Sequence, residues 1–269
     1  MDTLMVPNLK EIKVFLFDLD GCLYFGKRPA EGAAELLATL RADNKVILFV
    51  TNNSTETAPE IVDKLFQLGI KANENEMICT TDLIGRLLKN QFGSLAVKVF
   101  GSDALKKQVR TSGHNVLSLD HHQKADAVIV GRDISFDYEK LRKIALEISN
   151  GALIISTNPD GYHFNDAKEM VPETGSLVAS VESMFDIKVP YIGKPAPYLF
   201  EEALRRSGAH AHEMLMVGDN LNTDIVGGNS MGIKTAWIQN EKVNINIHIK
   251  PDFILKSIEE LFLLYFNKV

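Results

Sequence analysis

Four stretches of this 269-residue chain end apolar runs in residues that can do chemistry. VFLFDLDGCLY places Asp18 and Asp20 two residues apart, and FVTNNS ends in Thr51, Asn52 and Asn53. YIGKPAP carries Lys194, and MLMVGDNLNTD carries Asp219 and Asp224. Side chains two apart on a strand face the same way, so Asp18 and Asp20 are expected to share one small volume at the buried end of a strand. At about 6 Å and an effective dielectric near 20, two such carboxylates repel by roughly 2–3 kcal/mol, which a cation must offset. A hard divalent ion such as Mg²⁺ takes oxygen ligands, keeps waters, and uses one or two carboxylates plus a substrate phosphate. Asp18 and Asp219 can supply those carboxylates, with Asp224 close behind. Thr51 and the amides after it, opening a helix, suit phosphate oxygens. Lys194 adds a point charge able to bridge a phosphoryl group and a nucleophile. A carboxylate beside Mg²⁺ can attack phosphorus and split one hard displacement into two easier ones. The second carboxylate would then handle the proton.

The elements that must position these residues alternate strand and helix, the pattern of an α/β fold with a mostly parallel sheet covered on both faces. Strands are expected at 12–18, 45–51, 76–79, 95–100, 126–131 and 152–157, then at PYIG, MLMVGD, KTAWIQ and DFIL. Helices are expected at 31–42, after Thr57, and near 82–91, 102–112, 137–149, 175–185, 197–207 and 222–231, with one amphipathic helix at the end. Thr57 with Glu60, and Ser257 with Glu260, have capping-box spacing. In open α/β sheets the ligand sits beyond the carboxyl ends of the strands, where all four stretches fall.

Composition bounds the function. With 45% hydrophobic and 24% charged residues the chain is an ordinary globular one. A formal charge of −6 argues against a nucleic-acid or anionic-membrane partner. The opening MDTLMVPNLKEIK has no basic segment followed by an apolar one, and no run approaches the ~20 apolar residues of a membrane span. A cytoplasmic protein is the expectation. Cys22 and Cys79 are too few for a disulfide framework or a zinc site and are expected to be reduced thiols.

FDLDGCLY, VTNNS, GKPAP and VGDNLNTDI, in this order, resemble the four motifs of the haloacid dehalogenase (HAD) superfamily of phosphatases. The long segment between the second and third resembles the type II cap of the NagD-like, or 4-nitrophenylphosphatase-like, branch. The resemblance spans nearly the whole chain. It implies a Rossmann-like core at 1–82 and 187–269, an inserted α/β cap domain at 83–186, Mg²⁺ as cofactor, and hydrolysis of small phosphomonoesters through an aspartyl-phosphate. Position by position it implies Asp18 as nucleophile, Asp20 as general acid/base, and Thr51, Asn52 and Asn53 as the phosphate-binding segment. Lys194 would steady the phosphoryl group. Asp219 would join Asp18 and the Asp20 backbone carbonyl on the metal, with Asp224 supporting them. Cys22 stands where many members carry threonine or a small aliphatic residue, and is expected to be buried packing and not a redox switch.

Substrate choice is expected in the cap. STNPDGYHF supplies Asn158, Asp160 and His163, and VPETGSLV supplies Glu173, where the family often has glycine, and Thr174. The N-P-D-G context also suits an Asx turn at Asn158. Related caps carry a dimer contact, so a homodimer through the cap is implied. His121 and His122 lack a fourth ligand at metal spacing; Arg205 and Arg206 are expected to complement a helix C-terminus; Trp237 is expected to pack in the core. Two alternatives stay open: a phosphotransferase or mutase of the same fold, and a receiver-like phosphoacceptor module. A receiver has no use for an insertion of this size, and a dehalogenase would leave Asp20, Asp219 and Asp224 unexplained.

Overall fold

The structure, a computed structural model, describes residues 9–165, 167, 169–239 and 249–266. The opening stretch 1–8, read above for a leader, lies outside them. The chain divides into two compact units. One comprises Met1–Val50, Lys64–Met77 and Phe200–Val269, the other Thr51–Asp63 and Ile78–Leu199.

The first unit is built on a sheet whose strands run in the order Phe253–Leu255, Lys234–Ile238, Met214–Gly218, Val14–Phe17, Val46–Thr51, Met77–Cys79. Val14–Phe17 pairs in parallel with a neighbour on each side, Phe17 standing opposite both Val217 and Phe49. All four of its residues are buried. Such a strand reads as a continuous apolar run because helices cover both faces. Helix Ala33–Ala42 packs against the last helix, Ile258–Phe266, closely enough that a Cβ on Gly32 would sit 2.9 Å from the Glu259 backbone. Ser257 Oγ accepts from Glu260 N at 3.1 Å, as the capping box predicts, but the Glu260 carboxylate takes its return bond from Lys256 N. Arg205 and Arg206 stand in the last turn of helix Tyr198–Ser207, as expected. Both pair with Glu202, and Arg206 also donates to the carbonyl of Met77 at 2.6 Å.

The second unit carries an all-parallel four-stranded sheet in the order Asn115–Val116, Ala96–Phe100, Ala127–Val130, Leu153–Ser156. Helices Tyr138–Ser149 and Thr174–Phe185 cover it around a core of Phe100, Val128, Val130, Ile144, Val178 and Val181. Two expectations need correction. PYIG forms no strand: Tyr191 makes only an isolated bridge to Ser156, and Pro190, which has no N–H, contributes its carbonyl alone, to Ser156 N at 2.8 Å. STNPDGYHF and VPETGSLV, given no strand in the reading above, contribute to a hairpin, Tyr162–Phe164 antiparallel to Met170–Pro172. Among the described residues no helix is long and apolar enough to cross a membrane.

Candidate functional site

The site residues of the first unit gather at the ends of two adjacent strands. Asp18 N donates to Val217 O at 2.9 Å, and the strand stops at Phe17. Beyond it the chain turns on Leu19, whose carbonyl accepts from Leu23 N at 2.9 Å. Asp18 and Asp20 therefore do not share a buried strand face, as the spacing had suggested. Asp18 is partly buried, whereas Asp20 is exposed. Asp18 instead faces Asp219 and Asp224. One carboxylate oxygen from each lies within 4.8 Å of the others, and the Asp20 carboxylate is outside this group. Asp219 follows strand Met214–Gly218, and a π-helical turn at Leu221–Ile225 brings Asp224 back beneath it. Asn220 N fixes the returning carboxylate, donating to Asp224 Oδ2 at 3.1 Å.

Two glycines make the approach possible. Gly21, at φ +85°, would put a Cβ 2.8 Å from Asp219 Cγ, and a Cβ on Gly218 would overlap the Asp224 carboxyl. Trp237, expected as packing, is buried and also donates its indole N–H to Asp219 O at 2.8 Å. Three carboxylates this close, one of them buried, suit a hard divalent cation by donor type and by charge. His121 and His122 belong to no such group among the described residues. Cys22 is fully buried with its Sγ 3.7 Å from Val217 O, and Cys79 is buried as well.

The second unit holds the rest. Asn52 clamps Lys194 by its backbone: Oδ1 accepts from Lys194 N at 2.7 Å, and Nδ2 donates to Lys194 O at 3.0 Å. Nδ2 also donates to Asp160 Oδ2 at 2.9 Å. Lys194 is 2% exposed, and Gly193 before it lies where a Cβ would be 2.6 Å from Asn52 Oδ1. The helix begins at Ala58, where the Thr57–Glu60 pairing expected from the sequence places it, and so does not open on these residues directly. Asn53 Oδ1 accepts from Thr55 N at 2.8 Å and Glu56 N at 2.9 Å, a local turn between the strand and that helix. Thr51 ends strand Val46–Thr51, and Asn52 and Asn53 lie in the turn beyond it, ahead of the helix's first residue. Asn53 N–H donates to Thr51 Oγ1 at 3.2 Å, so that amide already has a partner.

The cap candidates separate by burial. Asn158 and Thr174 are buried and brace the loop: Asn158 Nδ2 donates to Asn52 O at 2.9 Å and lies 3.4 Å from Thr174 Oγ1. Asn158 Oδ1 also accepts from Asp160 N at 3.1 Å, the Asx turn its sequence context suggests. Asp160, His163 and Glu173 are partly exposed. His163 Nδ1 lies 2.8 Å from Glu173 Oε1, and Arg132 comes within 3.4 Å of the same oxygen. Burial pushes the Glu173 carboxyl above its ordinary range; Arg132 opposes this and Asp160 adds to it. Arg132 was missed in the sequence. The signal was available, since it stands two residues beyond strand Ala127–Val130, at the end where ligands sit.

Residues 15–115 match the family described as haloacid dehalogenase-like hydrolase, and residues 191–261 match a second described as HAD-hydrolase-like. The chain is 35% identical over 230 residues to the 5'-nucleotidase YutF of Bacillus subtilis, covering 86% of this chain and 88% of the relative. It is 32% identical over 231 residues to an acid sugar phosphatase of Staphylococcus epidermidis, with the same coverage of 86% and 88%. Among solved structures, a 4-nitrophenylphosphatase from Thermotoga maritima matches with a TM-score of 0.87 at 29% identity, over 95% of this chain and 98% of that one. NagD from E. coli matches at 0.83 and 28%, over 93% and 98%. A glycerol phosphate phosphatase from Mycobacterium tuberculosis, solved in complex with magnesium, matches at 0.84 and 29%, over 93% and 76%.

Proposed function

The chain belongs to the haloacid dehalogenase-like hydrolases, in their NagD-like branch, and is a phosphomonoester hydrolase; on that premise we propose that it is a Mg²⁺-dependent phosphatase of small metabolite esters working through an aspartyl-phosphate on Asp18. The observation that carries this is the grouping of Asp18, Asp219 and Asp224 within 4.8 Å, with glycines at both points of closest backbone approach. Those three carboxylates, with the Asp20 backbone carbonyl, would hold the ion. Bound there, Mg²⁺ would offset the carboxylates' mutual repulsion and polarise a phosphoryl oxygen.

The chain's own residues do the remainder. An Asp18 oxygen attacks phosphorus while the bond to the leaving oxygen breaks, and Asp20, exposed and so open to solvent, gives that oxygen its proton. Asp20 then takes a proton from water, whose oxygen attacks phosphorus and releases Asp18 and inorganic phosphate. Lys194 supplies the countercharge for the phosphoryl oxygens. Asn52 holds that lysine's backbone in place, and Thr51 offers a hydroxyl. Residues 83–186 would serve as the inserted cap, with Asp160, His163 and Glu173 reading the leaving group. The sugar phosphatase and nucleotidase names of the relatives support small esters as the substrate class.

The test is a panel of phosphomonoesters assayed with Mg²⁺ and with a chelator. Steady release of phosphate is expected only with the metal. Turnover unaffected by chelation would contradict the proposal, and one equivalent of label without turnover would favour the receiver-like alternative.

A further inference from the structure

Thr80 and Thr81 lie outside the four motifs. They open helix Thr80–Phe92, and both are fully buried. Their hydroxyls reach back to carbonyls 27 and 28 positions earlier in the chain. Thr80 Oγ1 lies 2.7 Å from Asn53 O and 3.1 Å from Asn52 O, so its one proton is shared between two consecutive carbonyls. Thr81 donates to Asn53 O alone, through its hydroxyl at 3.0 Å and its N–H at 3.3 Å. Asn52 O also accepts from Asn158 Nδ2 at 2.9 Å.

These bonds decide where the neighbouring amide points. A trans peptide is planar, so a carbonyl drawn to Thr80 and Asn158 turns the N–H across the same peptide the opposite way. That amide is Asn53 N–H, and it donates to Thr51 Oγ1 at 3.2 Å. With one lone pair of Thr51 Oγ1 so occupied, the hydroxyl is oriented to donate its proton, as a phosphoryl oxygen requires. Asn53 contributes its backbone only, because its side chain is taken by Thr55 and Glu56. Resting on the phosphatase reading above, we propose that Thr80 is a positioning residue for phosphoryl recognition, acting through the Asn52–Asn53 peptide to hold the Thr51 hydroxyl in its donating orientation. Successive bonds in such a relay polarise one another. Thr81 is the internal control. Its hydroxyl bond is duplicated by its own N–H and falls on the next peptide, away from the one that faces Thr51.

The experiment measures, for the full chain with Mg²⁺, kcat/KM on a hexose 6-phosphate and on 4-nitrophenyl phosphate, inhibition by inorganic phosphate, and the Mg²⁺ concentration for half-maximal activity. Wild type, Thr80→Val, Thr80→Ser, Thr81→Val, Thr51→Val and the double variant Thr51→Val with Thr80→Val are compared, each with a urea melt. Thr80→Val keeps the branched shape and removes the donor. It should lower kcat/KM about threefold to tenfold, the loss expected for one neutral hydrogen bond, by the same factor on both esters. Inhibition by inorganic phosphate should weaken by that factor too, with the Mg²⁺ requirement unchanged. Thr80→Ser should restore both, and Thr81→Val should change either less than about twofold. In the Thr51→Val background, Thr80→Val should bring no further loss, because the hydroxyl it positions is gone. An undiminished loss in that background, no recovery in Thr80→Ser, or wild-type phosphate inhibition in Thr80→Val would each overturn the inference. Should Thr80→Val not fold, Thr80→Ala removes the same donor and is read by the same comparisons. A wild type that releases phosphate from neither ester would instead overturn the phosphatase reading beneath it.

Discussion

The indole N–H of Trp237 donates to the backbone carbonyl of Asp219 at 2.8 Å, joining the strand Lys234–Ile238 to a carboxylate supplied by its neighbour Met214–Gly218. The bond fixes the peptide from which the Asp219 side chain departs. Trp237→Phe keeps most of the apolar bulk and removes the donor. Groups that orient metal ligands typically contribute 10–100-fold in metal affinity. The Mg²⁺ concentration for half-maximal activity should therefore rise about tenfold, with a loss of about 1 kcal/mol in stability. A Mg²⁺ titration of activity beside a urea melt checks both. Weaker folding with an unchanged Mg²⁺ requirement would reduce Trp237 to packing.

Gly21 and Gly69 have nearly the same left-handed backbone, φ +85° and +75°, but a Cβ at Gly21 meets the Asp219 carboxyl and one at Gly69 meets nothing within 4 Å. Alanine at either position carries the conformational penalty of roughly 1–2 kcal/mol. Only Gly21→Ala also displaces a carboxylate of the Asp18 group. Gly69→Ala should melt lower and hydrolyse phosphate esters at the wild-type rate, whereas Gly21→Ala should lose most activity. Equal activities in the two variants would remove the steric argument.

Lys98 and Glu147 form a buried pair in the second unit, 2.5 Å apart with side chains 5% and 6% exposed. Burial raises the Glu147 carboxyl, but its bonds from Lys98 and from Ala125 N outweigh this and hold it below the ordinary 4.5. A depressed carboxyl contributes stability that is fully present above its unfolded value and is lost as pH falls through the folded one. Glu147→Gln should cost about 3 kcal/mol at neutral pH by leaving a buried ammonium without its charge partner. The gap to wild type should narrow below pH 4.5. Urea melts across that range would show it, and a gap independent of pH would contradict the assignment.

The strands and their parallel sheet were legible because parallel strands buried on both faces must be continuous apolar runs, and Val14–Phe17, Met214–Gly218 and Ala127–Val130 are. Residues set by local side-chain bonding were not. Asn53 forms an Asx turn, so the amides that follow Thr51 bond locally and do not open the helix. Asp20 leaves the strand face because the ladder stops at Phe17. Arg132 carries no motif, and its meaning comes only from Glu173, 41 positions further along the chain. The hairpin Tyr162–Phe164 with Met170–Pro172 is too short to show a period, and its three pairs form only through tertiary register.

The central claim is that Asp18 carries the phosphoryl group. Rapid acid quench of the chain during turnover of a radiolabelled phosphomonoester should trap label on the peptide containing Asp18, decaying as free phosphate appears. Asp18→Asn should show neither label nor turnover. Label on any other residue, or an Asp18→Asn variant that turns over at the wild-type rate, would contradict it.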